Sequence, residues 1–197
     1  MTLYSDQWRD QVRHGAQASA ATMVPLLISR FHPESMVDVG AGEGWFAQKF
    51  TEYGVEATKV DGPWVPDAVQ VDFDSPPYPD LGTFDLVLCL EVAEHIAPEH
   101  AEAFVTWLCS LGGLCVFSAA IPGQGGKGHV NEQPPAYWVD LFSQHDRRGS
   151  GALRRDLWDD PDVEPWYAQN LLVFGDHDLA DDGCQFLIHP GIWACYR

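Results

Sequence analysis

The chain has 197 residues, 46% of them hydrophobic, with 29 acidic against 11 basic side chains and a formal net charge of -18. So acidic a surface repels phosphodiester backbones and offers no Lys/Arg-rich footprint, which disfavours nucleic acid as a partner, and no run of eighteen or more apolar residues provides a membrane span. The cysteines, Cys89, Cys109, Cys115, Cys184 and Cys195, are odd in number and lack a C-x-x-C pair, which argues against a disulfide framework or zinc knuckle, and "MTLYSDQWRD" carries no apolar leader, so the expected setting is cytoplasmic. In chain order, the first predicted element is a helix over 11–33, whose Val24, Leu27, Ile28 and Phe31 form an apolar stripe. Next comes "MVDVGAGEGW", Met36 to Trp45. There Val37 and Val39 flank Asp38 as in a buried strand, and Phe46 and Phe50 then stand four apart as on one helical face. Gly40, Gly42 and Gly44 therefore fall in a strand-to-helix turn, where missing Cβ atoms let a ligand approach bare backbone at the positive end of a helix.

The glycine spacing narrows the ligand. A dinucleotide fingerprint needs G-x-G-x-x-G, yet Trp45 stands where its third glycine belongs, and no G-x-x-x-x-G-K-[ST] is present. The pattern D-x-G-x-G-x-G, Asp38 to Gly44, resembles the first motif of class I S-adenosylmethionine (SAM)-dependent methyltransferases. That resemblance implies that Asp38, Gly40, Ala41, Gly42 and Gly44 wrap the amino-acid and ribose parts of SAM. It also implies that Ser19 reaches the methionine end from the leading helix and that Trp8 covers the site. By itself the motif leaves open a glycine-rich turn in another α/β domain.

A second strand, Val55 to Val60, ends in Asp61 about twenty residues beyond the glycine turn, where an acid accepts ribose hydroxyls in folds of this kind. The resemblance places Asp61 and Gly62 at the ribose; capping of the strand end is the alternative. A short strand, Ala68 to Val71, leads to Asp72 and Phe73, an acid beside an aromatic that suits an adenine, with Asp74 as a turn residue before Pro76 and Pro77. The fourth strand, Phe84 to Leu90, is near-continuously apolar, as expected of a strand covered on both faces. Leu90 closes the strand as a further implied cofactor contact, and Glu91 and His95 follow in an E-x-x-E-H sequence similar to that of quinone-biosynthesis methyltransferases, where it lines the site near the sulfonium. A mutual hydrogen bond between Glu91 and His95 is the alternative. A helix is predicted from Pro98 to a Gly112-Gly113 stop, and a fifth strand over Leu114 to Pro122.

Glycines crowd the next segment, "GQGGKGHVNEQPPAYW", and it delivers His129, Asn131, Glu132 and Gln133 together before a helix near Pro134. A mobile loop closing over substrate is expected. The segment resembles a G-H-[IV]-N-E-Q motif of bacterial methyltransferases found in glycan and natural-product biosynthesis; capping of the helix by His129 and Glu132 is the alternative. Arg147, Arg148, Arg154 and Arg155 read as a solvated face or anion contact. The last strand lies near Asn170 to Phe174, and its antiparallel partner has no clear candidate because "GALRRDLW" is a poor strand.

Together these elements specify an α/β fold: a doubly wound, mostly parallel, Rossmann-like sheet in a single domain over 1–197. Within it, 1–34 is a helical cap, 35–122 the cofactor-binding half, and 123–197 the acceptor-side loop and last strands. The resemblance implies SAM-dependent methyl transfer to a small-molecule hydroxyl or amine, with a sugar or natural-product acceptor expected. His129 is the candidate base, oriented by Glu132, with His95 as rival; no metal is needed. A monomer or homodimer is expected. Two further readings stay open: the same fold using SAM for another reaction, and a SAM-binding protein without catalysis.

Overall fold

The structure, a computed structural model, describes residues 6–175 and 187–195, with side chains described over 15–175 and 187–192. Cys184 and the side chains of Trp8 and Cys195 lie outside what is described. Seven strands form one sheet: β1 Ser35–Val39, β2 Glu56–Asp61, β3 Val69–Gln70, β4 Leu86–Leu90, β5 Cys115–Ser118, β6 Arg148–Ser150 and β7 Leu172–Gly175. Their spatial order is β3-β2-β1-β4-β5-β7-β6, with β1 to β5 parallel and β7 antiparallel to both β5 and β6.

The side-chain alternation of the strands divides the core between two faces. Val37, Val39, Val87, Cys89 and Phe117 face a cluster built with Phe104 and Leu108 of α3 (Ala101–Leu111) and Trp138 and Phe142 of α4 (Pro135–Ser143). Met36, Leu86, Leu88 and Val116 face the other cluster. It is built with Val24 and Leu27 of α1 (Asp6–Phe31), Phe46 and Phe50 of α2 (Trp45–Glu52), and residues of α5 (Leu153–Leu157) and α6 (Pro165–Asn170). A last helix, α7, spans Pro190–Cys195. The apolar stripe of α1 is thus core, and no helix among the described residues is long and apolar enough to cross a membrane.

Chain order reverses between β1 and β4, which leaves a crevice outside their carboxyl ends. The glycine turn, Asp61, Glu91 and the segment after β5 all arise at that edge.

Two expectations are corrected. The antiparallel partner of β7 is β6, just ahead of "GALRRDLW", and the latter holds the short helix α5. Arg154 is no solvated residue: it is 3% exposed, and its guanidinium donates to the carbonyls of Gly151 and Gln169. Ser19, expected at the methionine end of the cofactor, is fully buried. Its Oγ donates to Asp162 O at 3.5 Å and accepts from Glu164 N at 2.9 Å, tying α1 to the segment before α6.

Candidate active site

The turn between β1 and α2 needs its glycines. Gly40, Gly42 and Gly44 have φ of 80°, 52° and 78°, in the left-handed region that side chains disfavour. A Cβ on Gly40 would stand 2.2 Å from Val92, whereas one on Gly42 would meet nothing within 4 Å, so the surface above Gly42 is open. Gly44 occupies the N-cap of α2 and has no side chain to cap it. Asp38 supplies the missing acceptor from the strand below, its Oδ2 taking Ala47 N at 3.3 Å. Burial is the main reason the Asp38 carboxyl is pushed up to about 7; the Ala47 bond and Lys59 oppose that, and Asp61 adds to it. Asp61 is also buried, and its two oxygens accept Gly42 N at 2.7 Å and Gly62 N at 2.6 Å. It therefore staples the glycine turn to the end of β2, while each oxygen keeps a further acceptor position. Trp64, an exposed aromatic that the sequence reading passed over, lies directly over Gly62.

On the expected adenine side, Asp72 is exposed and folded back on its own turn, accepting Asp74 N at 3.1 Å and Ser75 Oγ at 2.8 Å. Asp74 in turn accepts Ala97 N at 3.4 Å. The Phe73 ring packs into the core against Phe104 and Trp107, with centroids 5.7 and 6.1 Å away. The Phe73 ring is thus used within the core, and its carbonyl accepts Tyr78 Oη at 2.8 Å. Leu90 is half-buried at the end of β4.

Past β4 the chain turns sharply. Glu91 has φ of 54°, a strained conformation for a non-glycine residue, held by its N–H donating to Ser118 O at 3.0 Å and Oγ at 3.1 Å. Its carboxylate accepts Asn170 Nδ2 at 3.1 and 3.3 Å and Gln124 Nε2 at 3.3 Å. Gln169 completes this amide network by donating to Asn170 Oδ1 at 2.9 Å and Gln124 Oε1 at 3.2 Å. Burial pushes the Glu91 carboxyl up against these donors. Glu91 does not bond His95, whose Nδ1 lies 3.2 Å from Gly128 O.

Glu94 is the residue the sequence reading missed, although it sits within the E-x-x-E-H motif. It is 0% exposed, and neither carboxylate oxygen has a hydrogen-bond partner. Burial first, and repulsion by Glu91 second, push its carboxyl well above the usual range. The backbone N–H groups of Glu94 itself and of Ala120 favour its charged form, while the adjacent Glu91 side chain disfavours it. The N–H groups of Val130 and Asn131 donate to the Glu94 main-chain carbonyl at 2.9 and 3.0 Å, which brings the glycine segment onto the 3-10 turn Ala93–His95 that follows β4. His129 arrives on that segment. Its Nε2 stands 3.9 Å from Glu94 Oε1, its Nδ1 2.8 Å from Glu132 Oε1, and its ring meets His95 edge-on at 4.9 Å.

Glu132 also accepts Gly123 N at 2.8 Å and Gly125 N at 2.7 Å. Burial opposes its ionisation, but the bonds from His129 and these two amides outweigh that and hold its carboxyl below the usual value. The segment expected to be a mobile lid is thus folded around the Glu132 carboxylate. The helix-capping alternative does not hold, since α4 begins at Pro135 behind Pro134 as its N-cap, with no side-chain cap. Asn131 and Gln133 bond each other at 2.9 Å.

With this geometry in place, residues 11–124 match the family model described as a methyltransferase domain. The chain belongs to that family. No curated protein matches it. Among solved structures, this methyltransferase is similar to magnesium protoporphyrin IX methyltransferase from Synechocystis PCC 6803 with bound S-adenosylhomocysteine (SAH). The two share 16% identity over 88% of this chain and 89% of that one, with a TM-score of 0.61. DesVI of Streptomyces venezuelae shares 15% identity over 87% of this chain and 96% of its own, at 0.60. The 1,6-didemethyltoxoflavin-N1-methyltransferase of Burkholderia thailandensis, with 1,6-didemethyltoxoflavin and SAH bound, shares 18% over 86% and 79%, at 0.56. At these identities the likeness establishes the Rossmann-like methyltransferase fold. SAM is the cofactor of the family, and the open cradle above Gly42 beside the Asp61 carboxylate fits such a group.

Proposed function

We propose that the chain transfers a methyl group from SAM to a hydroxyl or amine of a small molecule, with a sugar or natural-product intermediate as the acceptor class. The observation that carries this reading is the meeting, at one sheet edge, of the glycine cradle with the Glu94–His129–Glu132 cluster. When bound, SAM supplies an electrophilic methyl, so the protein's share of the work is to align an acceptor and take its proton.

Gly40, Ala41, Gly42 and Gly44 would give the cofactor bare backbone, Asp61 and Gly62 its ribose contacts, and Leu90, Phe73 and Asp72 a flank for the adenine, with Asp72 contributing once freed from its turn. Asp38 would face the cationic end. Glu91, held by its amide network, would line the site near the methyl, and Ser19 is left out because its hydroxyl is used within the fold. His129 is the proposed proton acceptor. Because the Glu132 carboxylate only accepts, the His129 proton sits on Nδ1 and leaves the Nε2 lone pair facing inward. His95, exposed at the rim, is the alternative. Incubating the protein with methyl-labelled SAM and a panel of hydroxylated and aminated sugars and phenols, with mass spectrometry of the products, tests the reading. Labelled acceptor with equimolar SAH supports it, whereas SAH binding without transfer to any acceptor favours a non-catalytic binder.

Two expected outcomes follow for the cofactor. Asp61→Ala should weaken SAM binding by roughly 1.5–3 kcal/mol, the scale of hydrogen bonds to a charged group, or about ten- to a hundredfold by calorimetry. Asp61→Asn, which can still accept from one of the two amides, should lose less.

The second concerns Asp38. Its carboxyl titrates near 7 in the free protein, so it is neutral below that pH and ionised above it. A cationic ligand favours the ionised form, so SAM affinity should rise as pH passes through about 7, and binding near that pH should release protons. The stability of the ligand-free fold has the opposite sign. A buried acid whose pKa is raised from 3.8 costs stability progressively as pH climbs from 3.8 to about 7, so Asp38→Asn should raise Tm above pH 7 while weakening SAM. Calorimetry in buffers of different ionisation enthalpy measures the proton release, and pH-independent binding would remove Asp38 from the cofactor set.

A further inference from the structure

Glu94 presents an unusual problem in charge. It is completely enclosed, both oxygens lack a hydrogen-bond partner, and its one ion-pair partner among the described residues is His129 Nε2 at 3.9 Å. That distance is too long for a hydrogen bond, and a buried carboxylate without a cation against it is costly. The groups around it leave imidazole lone pairs unused. Glu132 accepts from His129 Nδ1, so Nε2 carries no proton in the neutral ring. Gly128 O, which can only accept, likewise fixes the His95 proton on Nδ1 and frees its Nε2. One ligand atom from each of Glu94, His95 and His129 lies within 4.8 Å of the others.

We propose that Glu94, His95 and His129 bind a divalent transition-metal cation of the Zn2+ or Mn2+ kind, with Glu132 as the carboxylate that orients His129. Two imidazoles and a carboxylate are a donor set such ions accept while keeping a coordination position open, and a ligating histidine characteristically donates its other N–H to a carboxylate, as His129 does to Glu132. Atoms sharing an ion at about 2.0–2.2 Å stand about 3–3.5 Å apart, so the cluster needs to contract by about 1 Å, which the exposed His95 ring can supply by rotation. The site departs from the sequence expectation of no metal, because sequence shows neither the burial of Glu94 nor the approach of His129. That the open position takes an oxygen of the acceptor rests on the methyltransferase reading; the ion site itself does not. With the ion in place, the His129 lone pair is a ligand, and acidification of the acceptor passes to the metal.

The test uses the full chain freed of metal by chelator, titrated with Zn2+, Mn2+ and Co2+ by calorimetry, with the Co2+ visible spectrum reporting imidazole ligation. One ion per chain with micromolar affinity is expected. Glu94→Gln and His129→Gln should each weaken it at least thirtyfold, roughly the scale of losing a ligand, and Glu132→Gln about tenfold or more. His95→Gln, an exposed change, gives the same readout if Glu94→Gln fails to fold. SAH titrated into metal-free protein separates the two readings, since its binding there stands whether or not the ion site does. Absence of stoichiometric binding below about 1 mM, or unchanged affinity in folded variants because the ion sits on other surface carboxylates, overturns the proposal.

Discussion

Gly42→Val is expected to weaken SAM binding by at least about a hundredfold, the largest loss of any single change in the cofactor half. The protein itself has room for the new side chain, since a Cβ at position 42 meets nothing within 4 Å. What the valine fills is the open cradle in which the cofactor is proposed to lie against backbone. It also carries a backbone penalty of about 1–3 kcal/mol, because a β-branched residue at φ 52° is strained. Gly54→Val separates the two effects. Gly54 has φ of 85° and open space around it, but it lies in the turn between α2 and β2, away from the carboxyl edge of the sheet. It should lower Tm comparably and leave SAM affinity unchanged. If folded Gly42→Val bound SAM as wild type does, the glycine turn would not be the cofactor cradle.

His129→Ala is expected to cut turnover about a hundredfold or more, while SAM affinity, read by calorimetry, stays within about twofold. The split follows from placement: His129 touches Glu94, His95 and Glu132, and none of the residues assigned to the cofactor cradle. Glu132→Gln should lose less, since the amide can still accept from His129 Nδ1 and from one of the two loop amides. An equal loss from His95→Ala, with His129→Ala active, would move the proton-accepting role to His95.

Much of the fold was legible because its demands are local. Left-handed backbone at positions 40, 42 and 44 admits glycine and little else, so D-x-G-x-G-x-G announces its own turn. The apolar run into Leu90 shows a strand covered on both faces. The edge strand Arg148–Ser150 was illegible for a physical reason: three residues, one of them glycine, carry no period, and only the neighbouring β7 makes them a strand.

The site was legible in the same measure. Asp61, Glu91, His95, His129 and Glu132 announced themselves as polar residues at strand ends or in a glycine-rich segment. Glu94 did not, because its surroundings form only when the Gly123 to Gln133 segment folds back onto the turn after β4. The partners of Ser19 were likewise illegible, since its hydroxyl bonds backbone groups of Asp162 and Glu164, far along the chain. Gln124, Gln169 and Asn170, which hold Glu91, gave no signal at all, since neutral amides have meaning only once the chain brings them together.

The most direct measurement is calorimetric titration of the wild-type protein with SAH and, separately, with NAD. The spacing of Gly40, Gly42 and Gly44, with Trp45 where a dinucleotide site needs glycine, predicts one SAH per chain with micromolar affinity and no measurable NAD binding. Tight NAD binding with no heat from SAH would contradict the assignment of this sheet edge to a sulfonium cofactor.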